Sequence, residues 1–362
     1  MRVAFIHPFL YRYLRGIERY TFSLSNALAR AGIEVHLLTW RWSRPVQMIG
    51  DLDPSVHVSL LPAARYYAAQ AIVPTYTWRL LRERFDFVWV FFAGYGEAEA
   101  LTLLRRQPFG AVFHFPQVAA PVRYREFRRY GLIDRARQIV SVSQVVADSV
   151  RDQFGLESTV IHHGVDTQQF VPDQGARARV RRILGMNIAA PLLVTAAALE
   201  ERKGVQHMLR ALPAIRQARP DLLYVVLGDG PYRSALEHLA DELGVADCVR
   251  FLGATDTIAP FYQAADLLVI LSRGEASSLV ALEALASGIP VVAADERPFD
   301  ELIDCRYGQR VIASNAQQVA ATIIELLHDP ARLRTMGEQG RLHILANFRW
   351  EQVAQDYIEL LA

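Results

Sequence analysis

Short apolar runs alternate with amphipathic stretches along the whole chain, a pattern that predicts repeated strand–helix units with parallel sheets. Residues 3–6 read as the first strand, and residues 17–31 put Ile17, Tyr20, Leu24, Ala27 and Leu28 on one helical face. Gly32 stops that helix, and 34–39 reads as the next strand. Further strands are expected at 56–60, 87–92, 111–115 and 139–142, with helices over 70–84, 96–106 and 144–154. The turn-rich stretch 160–175 reads as a linker. A second series then follows, with strands at 192–197, 222–227, 249–252, 267–271 and 290–294, a five-strand set. Helices over 204–219, to Leu243 and over 278–287 separate them. The expected fold is α/β, with two Rossmann-like doubly wound domains, 1–168 and 172–345, and ligands at the carboxyl ends of the strands.

Composition narrows the class. The 362 residues are 52% hydrophobic and 21% charged, enough apolar content for two cores and too much for a disordered chain. Apolar runs break well before the ~18–20 residues that a membrane-spanning helix needs. The start lacks a signal peptide's apolar core, and Cys248 and Cys305 cannot make a disulfide framework or a zinc ribbon. A cytoplasmic protein is therefore expected. Residues 1–170 carry 20 basic against 14 acidic side chains, and the remainder 19 against 24. That split is too weak, and too poor in basic blocks, for a nucleic-acid partner. Residues 123–137 concentrate six arginines with Tyr124, Phe127, Tyr130 and Leu132, which suggests either peripheral contact with an anionic surface such as the inner membrane face, or a solvated basic loop. Of the 39 basic residues only Lys203 is a lysine, which marks it for a chemical role.

Four segments carry candidate chemistry. Ser272-Arg273-Gly274-Glu275-Ala276-Ser277-Ser278-Leu279 joins a buried strand to a helix that contains Glu283. The free amides and dipole of a helix start there suit a phosphate, and carboxylates accept hydrogen bonds from sugar or ribose hydroxyls. Arg202-Lys203-Gly204 lies between a strand and a helix, where a lysine neutralises a diphosphate as a point charge. Arg15-Gly16-Ile17-Glu18-Arg19 opens the first helix, with Gly16 allowing close backbone approach. His114 ends a buried strand, either lining a site or capping a neighbouring backbone. Asp51-Leu52-Asp53 reads as a turn rather than a metal-binding Asp-x-Asp, and no His/Cys spacing indicates a metal.

Together these segments resemble the retaining, nucleotide-sugar-dependent glycosyltransferases of family 4, which have the GT-B fold. The most specific match is Glu275 and Glu283, spaced Glu-x(7)-Glu, with Glu-Ala-Leu-Ala-Ser-Gly-Ile-Pro-Val-Val starting at Glu283. Gly164-Val165-Asp166, Lys203-Gly204, Gly228-Asp229-Gly230-Pro231 and Val249-Arg250-Phe251-Leu252-Gly253 support it. The resemblance implies two domains facing across a cleft, with a final helix, 347–362, crossing back to the first. It implies that Lys203, the amides of Ser277, Ser278 and Leu279, and the Gly16 loop hold the donor diphosphate. Glu283 would bind ribose, Phe251 and Gly253 would frame the base, and Glu275 and His114 would touch the donor sugar. The implied reaction moves a sugar from a UDP- or GDP-sugar to a glycan, lipid-linked or small-molecule acceptor, as in polysaccharide biosynthesis, with no metal or other cofactor. The sequence departs from the family where Gly-Arg-Leu becomes Ala197-Ala198-Leu199, which removes a phosphate-pairing Arg; Arg202, beside Lys203, or Arg273 is the candidate to replace it. Arg15 replaces a glycine and His163 the usual asparagine. A GT-B binding protein without transfer, or a sugar-nucleotide epimerase, are the alternative readings.

Overall fold

The structure, a computed structural model, describes residues 1–7, 10, 16–41, 52–62, 73–91, 106–114, 131, 133–255 and 257–362. The chain divides into two compact units, Met1–Gly164 with Trp350–Ala362, and Val165–Arg349.

The first unit holds a parallel seven-stranded sheet in the order β3-β2-β1-β4-β5-β6-β7. Its strands are β1 (Arg2–Ile6), β2 (Glu34–Arg41), β3 (His57–Pro62), β4 (Phe87–Val90), β5 (Phe109–Phe113), β6 (Gln138–Ser141) and β7 (Thr159–Val160). The connecting helices α1 (Gly16–Arg30), α2 (Val73–Glu83) and α3 (Gln144–Phe154) lie where the periodicity places them. β5 begins two residues before its expected start. Gly110 lets it run beneath Trp89, since a Cβ there would stand 2.4 Å from the Trp89 ring. The expected helix at 96–106 falls almost wholly outside the described residues, as does most of the basic run at 123–137.

The second unit holds a parallel six-stranded sheet in the order β10-β9-β8-β11-β12-β13. It comprises β8 (Leu192–Ala196), β9 (Leu223–Leu227), β10 (Val249–Gly253), β11 (Leu267–Ile270), β12 (Val291–Ala294) and β13 (Gly308–Val311). The sequence reading gave five strands here, so β13 corrects it. Its Gln309 and Arg310 break the apolar run because the strand sits at the sheet edge. The strands split by alternation. Leu192, Val194, Leu268 and Ile270 enter one core, while Leu193, Tyr224, Leu267 and Val269 enter the other, so both sheet faces are dry. Around the sheet lie α4 (Gln174–Ile183), α5 (Val205–Ala218), α6 (Arg233–Glu242), α7 (Ala259–Ala264), α8 (Leu279–Ala286), α9 (Phe299–Leu302), α10 (Ala316–His328) and α11 (Pro330–Asn347).

The last helix, α12 (Trp350–Glu359), belongs to the first unit. Buried Tyr357 meets Trp89 at 4.9 Å between ring centroids, and the Tyr20 hydroxyl donates to the Tyr357 hydroxyl at 2.8 Å. Gly164 makes room for Trp350, because a Cβ there would lie 2.6 Å from the indole. Among the described residues, no helix is long and apolar enough to cross a membrane.

Candidate active site

In each sheet the winding direction reverses at one point, between β1 and β4 in the first and between β8 and β11 in the second. Connections leave such a point in opposite directions and open a crevice at the carboxyl ends of the strands.

At the second unit's reversal, the loops after β8, β9 and β11 press against one another. Gly204 takes φ +74°, and a Cβ on it would fall 1.9 Å from the Leu271 carbonyl. Gly228 takes φ +135° with the Ala197 carbonyl equally close to its missing Cβ. Only glycine permits both the backbone angle and the approach. The Arg273 N–H donates to the Arg202 carbonyl at 2.8 Å, which ties two of these loops together. The result brings residues 72 apart in sequence into contact, with Lys203 Nζ donating to Glu275 Oε1 at 2.6 Å. Both side chains are largely covered, at 19% and 15% exposure. Arg202 reaches the same carboxylate oxygen at 3.5 Å and also pairs with Glu200 at 2.8 Å.

α8 begins four residues beyond Glu275. Its cap is Ser278, whose Oγ accepts from the Ala281 N–H, and the buried Ser277 hydroxyl has no hydrogen-bond partner among the described residues. Glu283 is the fifth residue of α8 and is buried; the Tyr262 hydroxyl lies 3.4 Å from its Oε2. A buried carboxylate near an anion-ready helix start suits a ligand that carries both hydroxyls and phosphate. Phe251 and Gly253 end β10, where Gly253 takes φ +78° and its carbonyl accepts from the Gly228 N–H at 2.7 Å. Ala198, at the missing arginine's position, is exposed, and so is Arg273. Arg202 is the arginine that the structure puts beside Lys203 and Glu275.

The first unit gathers a second cluster at its own reversal. His7 follows β1, Phe91 follows β4 and His114 follows β5, all at carboxyl ends. The Tyr20 ring packs against both His114 and His163, at 4.7 and 4.8 Å between centroids, the two imidazoles lie 5.6 Å apart, and Trp350 of α12 meets Tyr20 at 5.4 Å. Both nitrogens of His114 and of His163 lack hydrogen-bond partners among the described residues. Burial holds His7 and His163 down to a pKa of about 3. It holds His114 well below its ordinary value too, with His163 and His7 adding to the effect. These rings are neutral at pH 7, and each offers one N–H donor and one acceptor nitrogen. Gly16 begins α1 and is exposed, while residues 11–15, Arg15 among them, lie outside the described residues. Sequence reasoning singled out His114 and passed over His7, Tyr20 and Tyr357 as members of one cluster. A polar residue directly after an apolar strand is the signal that would have found His7.

Two parallel, doubly wound units of this kind form the GT-B fold. Sucrose-phosphate synthase from Thermosynechococcus elongatus has the same architecture, with a TM-score of 0.81 at 22% identity over 99% of this chain and 98% of that one. So does HepE from Anabaena, solved with UDP and glucose, with a TM-score of 0.81 at 19% identity over 100% and 99% of the two chains. The family model described as Glycosyltransferase Family 4 matches residues 14–169, and that described as Glycosyl transferases group 1 matches 177–343. The chain belongs to the GT-B glycosyltransferases of family 4. One relative is the GDP-mannose-dependent alpha-(1-6)-phosphatidylinositol monomannoside mannosyltransferase of Mycolicibacterium smegmatis, 32% identical over 254 residues. That match spans 67% of this chain and 66% of the relative, just under two thirds of its length.

Proposed function

We propose that the protein transfers a hexose from a UDP- or GDP-sugar to a glycan, lipid-linked or small-molecule acceptor, retaining anomeric configuration and needing no metal. The observation that carries this reading is the Lys203–Glu275 contact beside the start of α8, with Glu283 buried in the same helix. In the proposed reaction the acceptor oxygen bonds to the anomeric carbon as its bond to the diphosphate oxygen breaks. The electron pair stays on that phosphate oxygen, which takes the acceptor's proton. Lys203 and the amides of Ser277, Ser278 and Leu279 stabilise the departing charge, with Arg202 in the role of the arginine missing at Ala198. Glu283 accepts from the ribose hydroxyls, Phe251 and Gly253 border the base, and Glu275 lies beside the sugar as positive charge develops on it. His114, kept neutral by burial, hydrogen-bonds a sugar hydroxyl, and Gly16 at the start of α1 completes phosphate binding. The Mycolicibacterium relative's name makes GDP-mannose the first donor to test. The basic run at 123–137 is assigned to an anionic surface on the cytoplasmic side, which vesicle sedimentation would test.

The deciding experiment incubates purified protein with GDP-mannose, UDP-glucose and related donors, with and without acceptor and EDTA. The products' anomeric configuration is then read by NMR. Acceptor-dependent release of nucleotide and an α-linked product from an α-linked donor, both surviving EDTA, are expected. Nucleotide binding without release would favour a binding protein, and an epimerised donor would favour an epimerase. Either result would overturn the proposal.

A further inference from the structure

At the opposite, amino-terminal end of the first sheet, two neighbouring strands, β2 and β3, assemble a group of ligand atoms that sugar transfer does not use. Glu34 and His36 are two residues apart on β2 and so project from the same face. His57 on β3 is the register partner of His36, and the two imidazoles stack at 4.6 Å between centroids. One ligand atom from each of Glu34, His36 and His57 lies within 4.8 Å of the others. His36 is level with Ala4 on β1, three residues or about 10 Å before His7 at ~3.3 Å per residue, and Glu34 lies two residues further from it.

The ring of His36 stands between two carboxylates. Its Nε2 lies 2.8 Å from Glu34 Oε1, and its Nδ1 lies 3.3 Å from Glu83 Oε2 at the end of α2. The ring is only 6% exposed, and among the described residues neither Nδ1 nor Glu83 Oε2 makes a hydrogen bond. A metal ion on Nε2 would leave Nδ1 to carry the ring N–H towards Glu83. That carboxylate–histidine–metal arrangement is the usual second layer of a metal site. Arg79 holds the other oxygen of Glu83 at 2.6 Å and so fixes the carboxylate for the purpose.

We propose that Glu34, His36 and His57 form a site for a divalent transition metal of the zinc class, with Arg2 as the cation that competes for it. Two imidazoles and one carboxylate favour zinc, cobalt or nickel over the oxygen-seeking magnesium and calcium. His57 is exposed, which gives the ion a route in and leaves a fourth position for water. Arg2, the register partner of Glu34 on β1, binds Glu34 Oε1 at 2.9 Å and places its NH2 group 3.4 Å from His36 Nε2. It also donates to the Glu83 carbonyl. Metal binding therefore displaces one guanidinium contact and links edge strand β3 to β2. The spacing along the chain conceals the set, because His57 arrives from a separate strand.

The test uses tag-free, EDTA-stripped protein titrated with ZnCl2 by calorimetry and with CoCl2 by visible absorption. One equivalent is expected to bind saturably, with cobalt giving the intense visible bands of a four- or five-coordinate site. His57→Ala, at an exposed position and so tolerated by the fold, is expected to weaken binding at least tenfold. Arg2→Gln, which removes the competing cation, is expected to tighten it by about the same factor. Absence of saturable binding in both wild type and Arg2→Gln overturns the proposal. So does a His57→Ala protein that binds like wild type, since the ion would then lie elsewhere.

Discussion

Lys203 Nζ stands 2.6 Å from Glu275 Oε1, so the only lysine in the chain is held by the carboxylate assigned to the sugar. A diphosphate must share or displace that contact, and the two residues should consequently respond in opposite ways. Lys203→Ala removes a charge-assisted bond worth about 1.5–3 kcal/mol. Nucleotide affinity should fall roughly 10- to 100-fold, and turnover further. Glu275→Gln frees the ammonium, so nucleotide affinity should hold or rise a few-fold while kcat falls about a hundredfold, the scale of losing one electrostatic stabiliser. Nucleotide titration paired with steady-state kinetics reads both. Weakened nucleotide binding in Glu275→Gln would contradict the assignment.

Glu283 should behave otherwise. Contacts to ribose hydroxyls are present in ground and transition states alike, so removing them changes binding rather than the chemical step. Glu283→Gln is expected to raise the donor KM by about 10-fold or more, from ~1.5–3 kcal/mol of charged hydrogen bonding, with kcat within a few-fold. A fall in kcat with unchanged KM would place Glu283 at the reacting bond instead.

The parts that the sequence made legible share a physical cause. Strands such as Leu192–Ala196 and Leu267–Ile270 are buried on both faces and read as continuous apolar runs, whereas β13 is a half-polar edge and went unseen. Lys203, Glu275 and Glu283 were visible because each follows or enters a helix from a strand end. The histidine cluster was only partly visible, since His7, His114 and His163 are spread over 156 positions and are united by sheet order alone. Glu34, His36 and His57 were invisible for the same reason, being joined by cross-strand register.

The join between α4 and the second sheet predicts a large stability effect. Arg181, at 1% exposure, pairs with Asp266 Oδ2 at 2.7 Å, and Arg177 pairs with Oδ1 at 2.6 Å. The Leu192 N–H also donates to Asp266 Oδ2 at 2.8 Å. Removing Asp266 strands a buried guanidinium, for which a cost of about 3–5 kcal/mol is usual. Asp266→Ala should lower the unfolding free energy of this unit by that amount, as measured by urea denaturation followed by circular dichroism. The double replacement of Arg181 by Met and Asp266 by Leu should cost less than Asp266→Ala alone, because no charge is left uncompensated.

The buried histidines predict the first unit's response to acid. His7 and His163 have native pKa values near 3 against an ordinary value of 6.5, with burial the main cause. Between those values the unfolded chain binds protons that the folded unit refuses, so stability rises with pH through this window and is complete above about 6.5. On acidification each histidine should remove about 1.4 kcal/mol per pH unit, and His114, also lowered, adds to the slope. A domain stabilised by about 5–15 kcal/mol cannot absorb several units of that loss, so this unit should unfold well above pH 3. All five tryptophans, at positions 40, 42, 78, 89 and 350, fall in the first unit, so their fluorescence reports on it alone. Urea midpoints followed this way should decline from pH 7 to pH 5. His163→Asn, the family's own residue at this position, should flatten the decline by about 1.4 kcal/mol per pH unit. An unchanged slope in that variant would show that His163 is already protonated in the folded unit.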